Sequence, residues 1–159
     1  MYRKLKTLVS SLLVGLFVLT MSFSFGANPT FADTADTLGP EGYFLVHATN
    51  ENGVPETSTS FADVKFSFEG AGQWSYGDPQ REFGACGDPE YAYQTGMTYP
   101  DKTSFSLIAD CGSAGVYEVC DTTVITLAPE EICNFKMNDS PGGYYNNDGA
   151  LIVSYNIFD

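Results

Sequence analysis

Val64-Lys65-Phe66-Ser67-Phe68-Glu69 decides the fold class. Val64, Phe66 and Phe68 fall on one side of an extended chain, and Lys65, Ser67 and Glu69 fall on the other. A period of two belongs to a strand with one face on a core and one in water. Gly70-Ala71-Gly72 then reads as a break. The same grammar extends outward. Residues 43–49 read as a strand, and Asn50-Glu51-Asn52-Gly53 reads as a turn. Residues 104–109 form another strand, closed by Cys111-Gly112-Ser113-Ala114-Gly115. Residues 116–119, 122–127, 132–137 and 150–158 complete the set. Nothing after the first thirty residues reads as a long helix, and no internal repeat is present. Aromatic and β-branched enrichment with frequent turns predicts an all-β, antiparallel β-sandwich.

The first 32 residues stand apart. Arg3, Lys4 and Lys6 precede an apolar stretch over residues 8–25, and Thr30-Phe31-Ala32 offers small residues at the two positions a signal peptidase reads. This predicts a secretory signal peptide over 1–32, cleaved after Ala32, and a single domain over 33–159. A membrane anchor is the competing reading, because the apolar stretch approaches a bilayer's thickness. No basic stop-transfer cluster follows it. Residues 33–40 read as a loosely held start.

Charge narrows the partners. After residue 32, four basic residues (Lys65, Arg81, Lys102, Lys136) face all 20 acidic ones, a net charge of −16. Nucleic acid needs a basic patch, so it is excluded as a partner. Anionic membranes are disfavoured for the same reason. An acidic surface keeps a secreted protein soluble and also favours divalent cations.

Four cysteines, Cys86, Cys111, Cys120 and Cys133, lie in the same part of the chain. In an oxidising compartment an even count predicts two disulfides, with three pairings open. No Cys-x-x-Cys spacing supports zinc or redox chemistry. His47 is the only histidine and lies in an apolar run, so it reads as a strand residue. A Ser-His-Asp set would have to use it.

Two stretches carry candidate chemistry. Met137-Asn138-Asp139-Ser140-Pro141-Gly142-Gly143-Tyr144-Tyr145-Asn146-Asn147-Asp148-Gly149 puts a carboxylate and two adjacent carboxamides in a glycine-rich loop. It reads as a hairpin turn, and equally as oxygen donors for a hard cation such as calcium. Asn138-Asp139-Ser140 matches a glycosylation sequon, but Pro141 follows it and a glycan would block the loop, so the match reads as accidental. Residues 73–94 form a long loop rich in glycine, proline and aromatic residues, the kind that usually carries function. Within it Trp74 reads as a core anchor or a sugar-stacking platform.

Taken together these motifs resemble the bacterial galactophilic lectins of the PA-IL type. The likeness runs from near Phe44 to the end. It passes through Gly72-Gln73-Trp74-Ser75-Tyr76-Gly77 and Gly87-Asp88-Pro89-Glu90 with Gln94, and is densest over Asn138-Asp139-Ser140-Pro141-Gly142, Tyr144, Asn146-Asn147 and Gly149. The resemblance implies a small jelly-roll-like β-sandwich. It implies a calcium ion held by Asp139, Asn146, Asn147 and the carbonyls of Gly143 and Tyr76. It implies galactose or a related pyranose bound through two vicinal hydroxyls, with Asp139, Asn146 and Asn147 bonding those hydroxyls and Tyr91, Gln94 and Ser140 around the sugar.

This chain departs from the family pattern at three places. Gly143 stands where a threonine is usual, an exchange expected to be tolerated because only the carbonyl is needed. Ser140 replaces an apolar residue. Tyr91 stands where a histidine reaches the sugar's sixth hydroxyl, which puts the preferred sugar in question. The expectation is a secreted, extracellular or periplasmic, calcium-dependent carbohydrate-binding protein, not an enzyme, with galactosides or other glycans as partners. A homo-oligomer is allowed, and no membrane is engaged after signal cleavage. The alternative is an extracellular structural or assembly module whose calcium only stiffens a loop. A glycosidase would use paired carboxylates, and no such motif is present.

Overall fold

The computed structural model describes residues 36–77 and 81–158. The leader assigned to 1–32 lies outside the described residues. Ten strands follow in order: β1 (Asp36–Leu38), β2 (Glu41–His47), β3 (Val54–Ser58), β4 (Val64–Tyr76), β5 (Glu82–Phe83), β6 (Leu107–Asp110), β7 (Val116–Glu118), β8 (Thr123–Leu127), β9 (Ile132–Met137) and β10 (Asn147–Ile157). One sheet runs β1-β3-β9-β6-β7 and the other runs β2-β10-β4-β5, with β8 also pairing β4. The fold is an all-β sandwich, as the alternation predicts. Among the described residues there are only short 3-10 turns and no α-helix.

Inward positions fill the space between the sheets. Phe66 and Phe68 of β4 are buried, as are Val46, Leu151 and Val153 on its own sheet. Leu107, Phe135 and Met137 close the core from the facing sheet. Phe135 meets Phe44 at 4.8 Å, edge-on, and Phe68 at 5.1 Å. A buried phenylalanine contributes about 1.5–3 kcal/mol, so this cluster is the main adhesive. Trp74 is 1 % exposed and its indole N–H donates to the carbonyl of Phe105 at 2.9 Å. It is a core anchor, and the sugar-platform reading of it falls away.

Several expected boundaries move. The glycines at 70–72 do not end β4, which continues to Tyr76 in unbroken register with β10. A side chain at Gly70 would press on Ala85 Cβ at 2.7 Å and Leu107 Cδ2 at 3.0 Å, so glycine serves close packing here and not a turn. Of the start expected to be loosely held, 33–35 lie outside the described residues and 36–40 are not loose. Asp36–Leu38 pairs with Glu56–Ser58, the one parallel pair among the described strands, and Leu38 is in the core. β3 was not anticipated. Ser104 and Phe105 sit in a turn before β6, with Phe105 in the left-handed region at φ +62°. β10 starts at Asn147, inside the loop expected to precede it.

Both disulfides form: Cys86–Cys120 and Cys111–Cys133. Cys111 and Cys133 are fully buried and fasten the end of β6 to β9. The other bridge ties the turn after β5 to the turn after β7. Closing a loop of about this length is worth about 3 kcal/mol by chain entropy. Denatured, alkylated protein should therefore show no free thiol, and Cys111→Ala with Cys133→Ala should lower unfolding free energy by about 2–4 kcal/mol in a denaturant titration. Four free thiols would mean that neither bridge forms.

Candidate functional site

At the end of β9 the chain turns through Asn138 and Asp139, 0 % and 5 % exposed. Asn138 acts as a clamp. Its Nδ2 donates to the carbonyls of Tyr99 and Thr103, each at 3.0 Å, and its Oδ1 accepts the Tyr99 N–H at 3.0 Å. The side chain thus supplies the partners that strand pairing would otherwise give residues 99–103. A buried amide so engaged is closed to glycosylation, which agrees with the accidental reading of the sequon.

Asp139 is held at every polar atom. Its carbonyl accepts from Thr98 N–H at 3.0 Å and Thr98 Oγ1 at 2.7 Å. Oδ1 accepts from Ser140 N–H at 2.6 Å, and Oδ2 accepts from Asn147 Nδ2 at 2.9 Å. No lysine or arginine pairs with it among the described residues. A carboxylate this buried is costly without an opposite charge.

Asn147 is 6 % exposed. Its Nδ2 also donates to the carbonyl of Ala48 at 3.1 Å, while its Oδ1 is buried with no partner. Leaving such an acceptor dry costs about 1–3 kcal/mol. An anionic oxygen and an orphaned amide oxygen in one buried corner are the donor chemistry a hard cation takes. These residues therefore fit a calcium ion.

The other expected residues converge to different degrees. Tyr76 lies directly opposite Asn147 in the β4–β10 register, and Gly77 N–H donates to the carbonyl of Asn146 at 3.0 Å. Asn146 itself is exposed, its amide lying over Gly77, where an added Cβ would come within 2.7 Å of Nδ2. Gly143 is half-buried before the 3-10 turn Tyr144–Asn146. Its φ of −83° suits any residue, so space is the restriction. A Cβ there would stand 2.6 Å from Ser140 Oγ and 3.1 Å from Asp139 Oδ1. Glycine suits this position, because Ser140 occupies the room a Cβ at 143 would use.

Tyr91 ends the 3-10 turn Pro89–Tyr91, whose Asp88 cap accepts from Glu90 N–H at 3.0 Å. Its ring is 38 % exposed and meets Tyr76 edge-on at 6.0 Å. Tyr76 stacks flat on Phe105 at 3.6 Å and near-parallel to Phe83 at 5.5 Å. Burial, helped by Tyr91, pushes the Tyr76 phenol up to about 12. Arg81 bridges Asp88 at 3.1 Å and Glu90 at 2.9 Å, and lies over the rings of Phe83 and Tyr91 at 5.5 and 5.6 Å. Gln94 is half-buried, its carbonyl accepting from Met97 N–H at 3.2 Å, and its side chain makes no hydrogen bond among the described residues. His47 is an exposed strand end, away from any described hydrogen bond of its side chain.

Sequence reasoning missed the clamp of Asn138, the Thr98 bonds to Asp139 and the Arg81–Asp88 pair. The first had a local signal, an Asn beside the key Asp. The others join residues far apart in the chain, and no spacing announces them.

No family model and no curated protein matches the sequence. Among solved structures, the chain superposes on one described as the EclA N-terminal domain, a PllA-like lectin, with a TM-score of 0.53 and 18 % identity. The match covers 73 % of this chain and 95 % of that one. The two share a fold.

The Ser140–Gly143 contact is directly testable. Gly143→Ala should destabilise the protein by about 1–3 kcal/mol through overpacking. Adding Ser140→Ala should recover part of that loss, with a coupling of about 0.5 kcal/mol or more in a double-mutant cycle read by chemical denaturation. Strict additivity would show that the two positions do not compete for space.

Proposed function

We propose that this chain is a secreted calcium-dependent carbohydrate-binding protein that takes galactose or a related pyranose through two vicinal hydroxyls. The observation that carries the reading is the orphaned Oδ1 of Asn147 beside a buried, cation-free Asp139, on a sandwich that superposes on a PllA-like lectin. Asp139, Asn146, Asn147 and the carbonyls of Gly143 and Tyr76 would hold the ion. When bound, calcium supplies a high-coordination centre with room for a bidentate pair of neutral hydroxyls. The chain's own residues do the rest. Asp139 and the two asparagines bond the same hydroxyls, the carboxylate most strongly because its bond is charge-assisted. Tyr91 and Gln94 face the rest of the ring, and Ser140 adds a polar contact. Nothing in the site calls for bond cleavage, so the reading is a binding protein and not an enzyme.

One charged ligand side chain in the set means modest calcium affinity, on the order of micromolar to millimolar. Asp139→Ala should abolish both calcium and sugar binding in calorimetry while the far-ultraviolet circular dichroism stays that of a sandwich. Sugar binding that survives excess chelator would defeat the proposal.

Selectivity at the sixth position follows from Tyr91. Its ring is committed to Tyr76 and Arg81, and its hydroxyl stands further out than an imidazole nitrogen. A lost or lengthened neutral hydrogen bond costs about 0.5–1.5 kcal/mol, or about threefold to tenfold in affinity. Titrating galactose and its 6-deoxy analogue into wild type and Tyr91→His should show tighter galactose binding and sharper discrimination in the variant. Equal discrimination would mean that Tyr91 already reaches the sixth hydroxyl.

A further inference from the structure

β2 ends its sheet, with β10 on one side and no described strand on the other. Ile157 N–H donates to the carbonyl of Pro40 at 2.9 Å, and Ala48 N–H donates to the carbonyl of Gly149 at 3.0 Å. The register between these two bonds is unbroken, so Gly42, Phe44 and Val46 also turn their N–H and C=O groups toward β10. Glu41, Tyr43, Leu45 and His47 turn theirs away from the sheet. On that side the one backbone partner among the described residues is Asn50, whose N–H donates to the His47 carbonyl at 3.1 Å. Edge strands are normally blunted by lysine, proline, a bulge or a covering segment. β2 has no lysine, no proline and no bulge.

The side chains follow the same alternation. Phe44 points inward against Phe135, yet stays half-buried. On the outward face Tyr43 is 77 % exposed and Leu45 50 %, and Ile152 lies beside Leu45 in register. Glu41 and His47 stand exposed at the two ends of the strand, and neither is in an ion pair among the described residues.

We propose that β2 is a self-pairing edge, at which two copies of this chain join antiparallel about a two-fold axis through Phe44. Closed two-fold contacts use one patch twice, and this strand is self-complementary in that sense. The register sets Glu41 opposite His47 of the partner subunit and Tyr43 opposite the partner's Leu45, each pair occurring twice. The free backbone groups of Tyr43 and Leu45 then satisfy those of the partner, and the two exposed side chains become cross-strand neighbours. Phe44 meets the partner's Phe44 in a close, non-hydrogen-bonded pair, which covers the ring the fold leaves half open. An axis at Tyr43 would set Glu41 against the partner's Leu45, and an axis at Leu45 would set it against the partner's Thr49. Only the axis at Phe44 gives the carboxylate an imidazole. An acceptor at one end of the strand and a donor at the other suit a second copy, and an unrelated peptide would have no need of that order.

The pairing also bears on the candidate site, and this step rests on the proposed sugar binding. The carbonyl of Ala48, just past the end of β2, accepts from Asn147 at 3.1 Å. In the joined strands the two Ala48 residues lie eight positions apart, about 27 Å at the rise of an antiparallel strand. Two sugar sites would therefore sit at opposite ends of one dimer and could bridge two glycans.

Sedimentation velocity on the purified protein over about 1–100 μM tests the pairing, since a dimer's population depends on protomer concentration. Wild type should sediment as a dimer at the upper end. Tyr43→Pro removes an edge N–H that β10 does not use, and Leu45→Lys puts a charge on the edge. Each should give a monomer with the circular dichroism of wild type. Glu41→Lys should weaken the dimer at least tenfold, and adding His47→Glu should recover most of that loss. A wild-type monomer at the highest concentration would overturn the proposal. So would a dimer that both edge variants leave intact, or a Glu41→Lys defect that His47→Glu does not repair. Vesicles bearing galactosylated lipid, with calcium present, should be clustered by wild type and not by Tyr43→Pro. A dimer that forms but clusters no vesicles would count against sugar binding and leave the pairing standing.

Discussion

The register of β10 against β4 is the constraint on which the rest depends. β10 is paired on both edges, from Asn147 opposite Tyr76 to Ile157 opposite Phe66, and from Ala150 opposite His47 to Asn156 opposite Glu41. Leu151 and Val153 point inward and are fully buried. A slip of one residue would turn both outward and forfeit about 3–6 kcal/mol of burial. The same slip would swing Asn147 away from Asp139. Hydrophobic packing in mid-sheet thus fixes the position of an amide oxygen at the sheet's end. Gly149 makes the approach feasible: its φ is +86°, and a Cβ would meet the Gln73 carbonyl at 2.6 Å.

Scarcity of positive charge explains why the buried carboxylate has no protein counter-ion. Only four lysines and arginines lie beyond residue 32. Arg81 is taken by Asp88 and Glu90, and Lys102 stands 3.4 Å from Asp101. Lys136 lies over the Tyr99 ring at 5.4 Å. Lys65 is on the exposed face of β4. Removing Asp139 from water without a partner would cost several kcal/mol. The hydrogen bonds from Ser140 and Asn147 recover part of that, and the proposed ion would supply the remainder. Net charge and local charge point the same way, because an acidic surface raises the local cation concentration.

Legibility followed interaction range. Residues 64–69 announced a strand because their own alternation carries the signal, and 132–137 did likewise. β3 did not, because Val54-Pro55-Glu56-Thr57-Ser58 has no apolar alternation and Glu56 is buried at 3 % exposure. Its strand state comes from pairing with β1 and β9. Gly70 and Gly72 read as a break because glycine is usually punctuation. Here the demand was room, for Ala85 and Leu107 at Gly70 and for the Ala150 carbonyl at Gly72, all far along the chain. The oxygen-rich composition of 137–149 was visible at once. That Asn147 already belongs to a strand was not, since Asn-Asn-Asp-Gly has the local chemistry of a turn.

Asn138 and Asp139 divide two tasks across one peptide bond. The side chain of Asn138 holds residues 99–103, and the carbonyl of Asp139 holds Thr98. Both belong to the segment that continues from Tyr91 and Gln94. The side chain of Asp139 turns the other way, toward Ser140 and Asn147. The loop proposed to face the sugar and the loop proposed to hold the ion therefore hang from the same dipeptide. These hydrogen bonds fix that dipeptide before any ligand arrives, so ordering entropy that a floppy loop would spend on binding is spent on folding instead. The cost is intolerance: the corner is already full at Ser140 and Gly143, and a change to either shifts the carboxylate that both loops share.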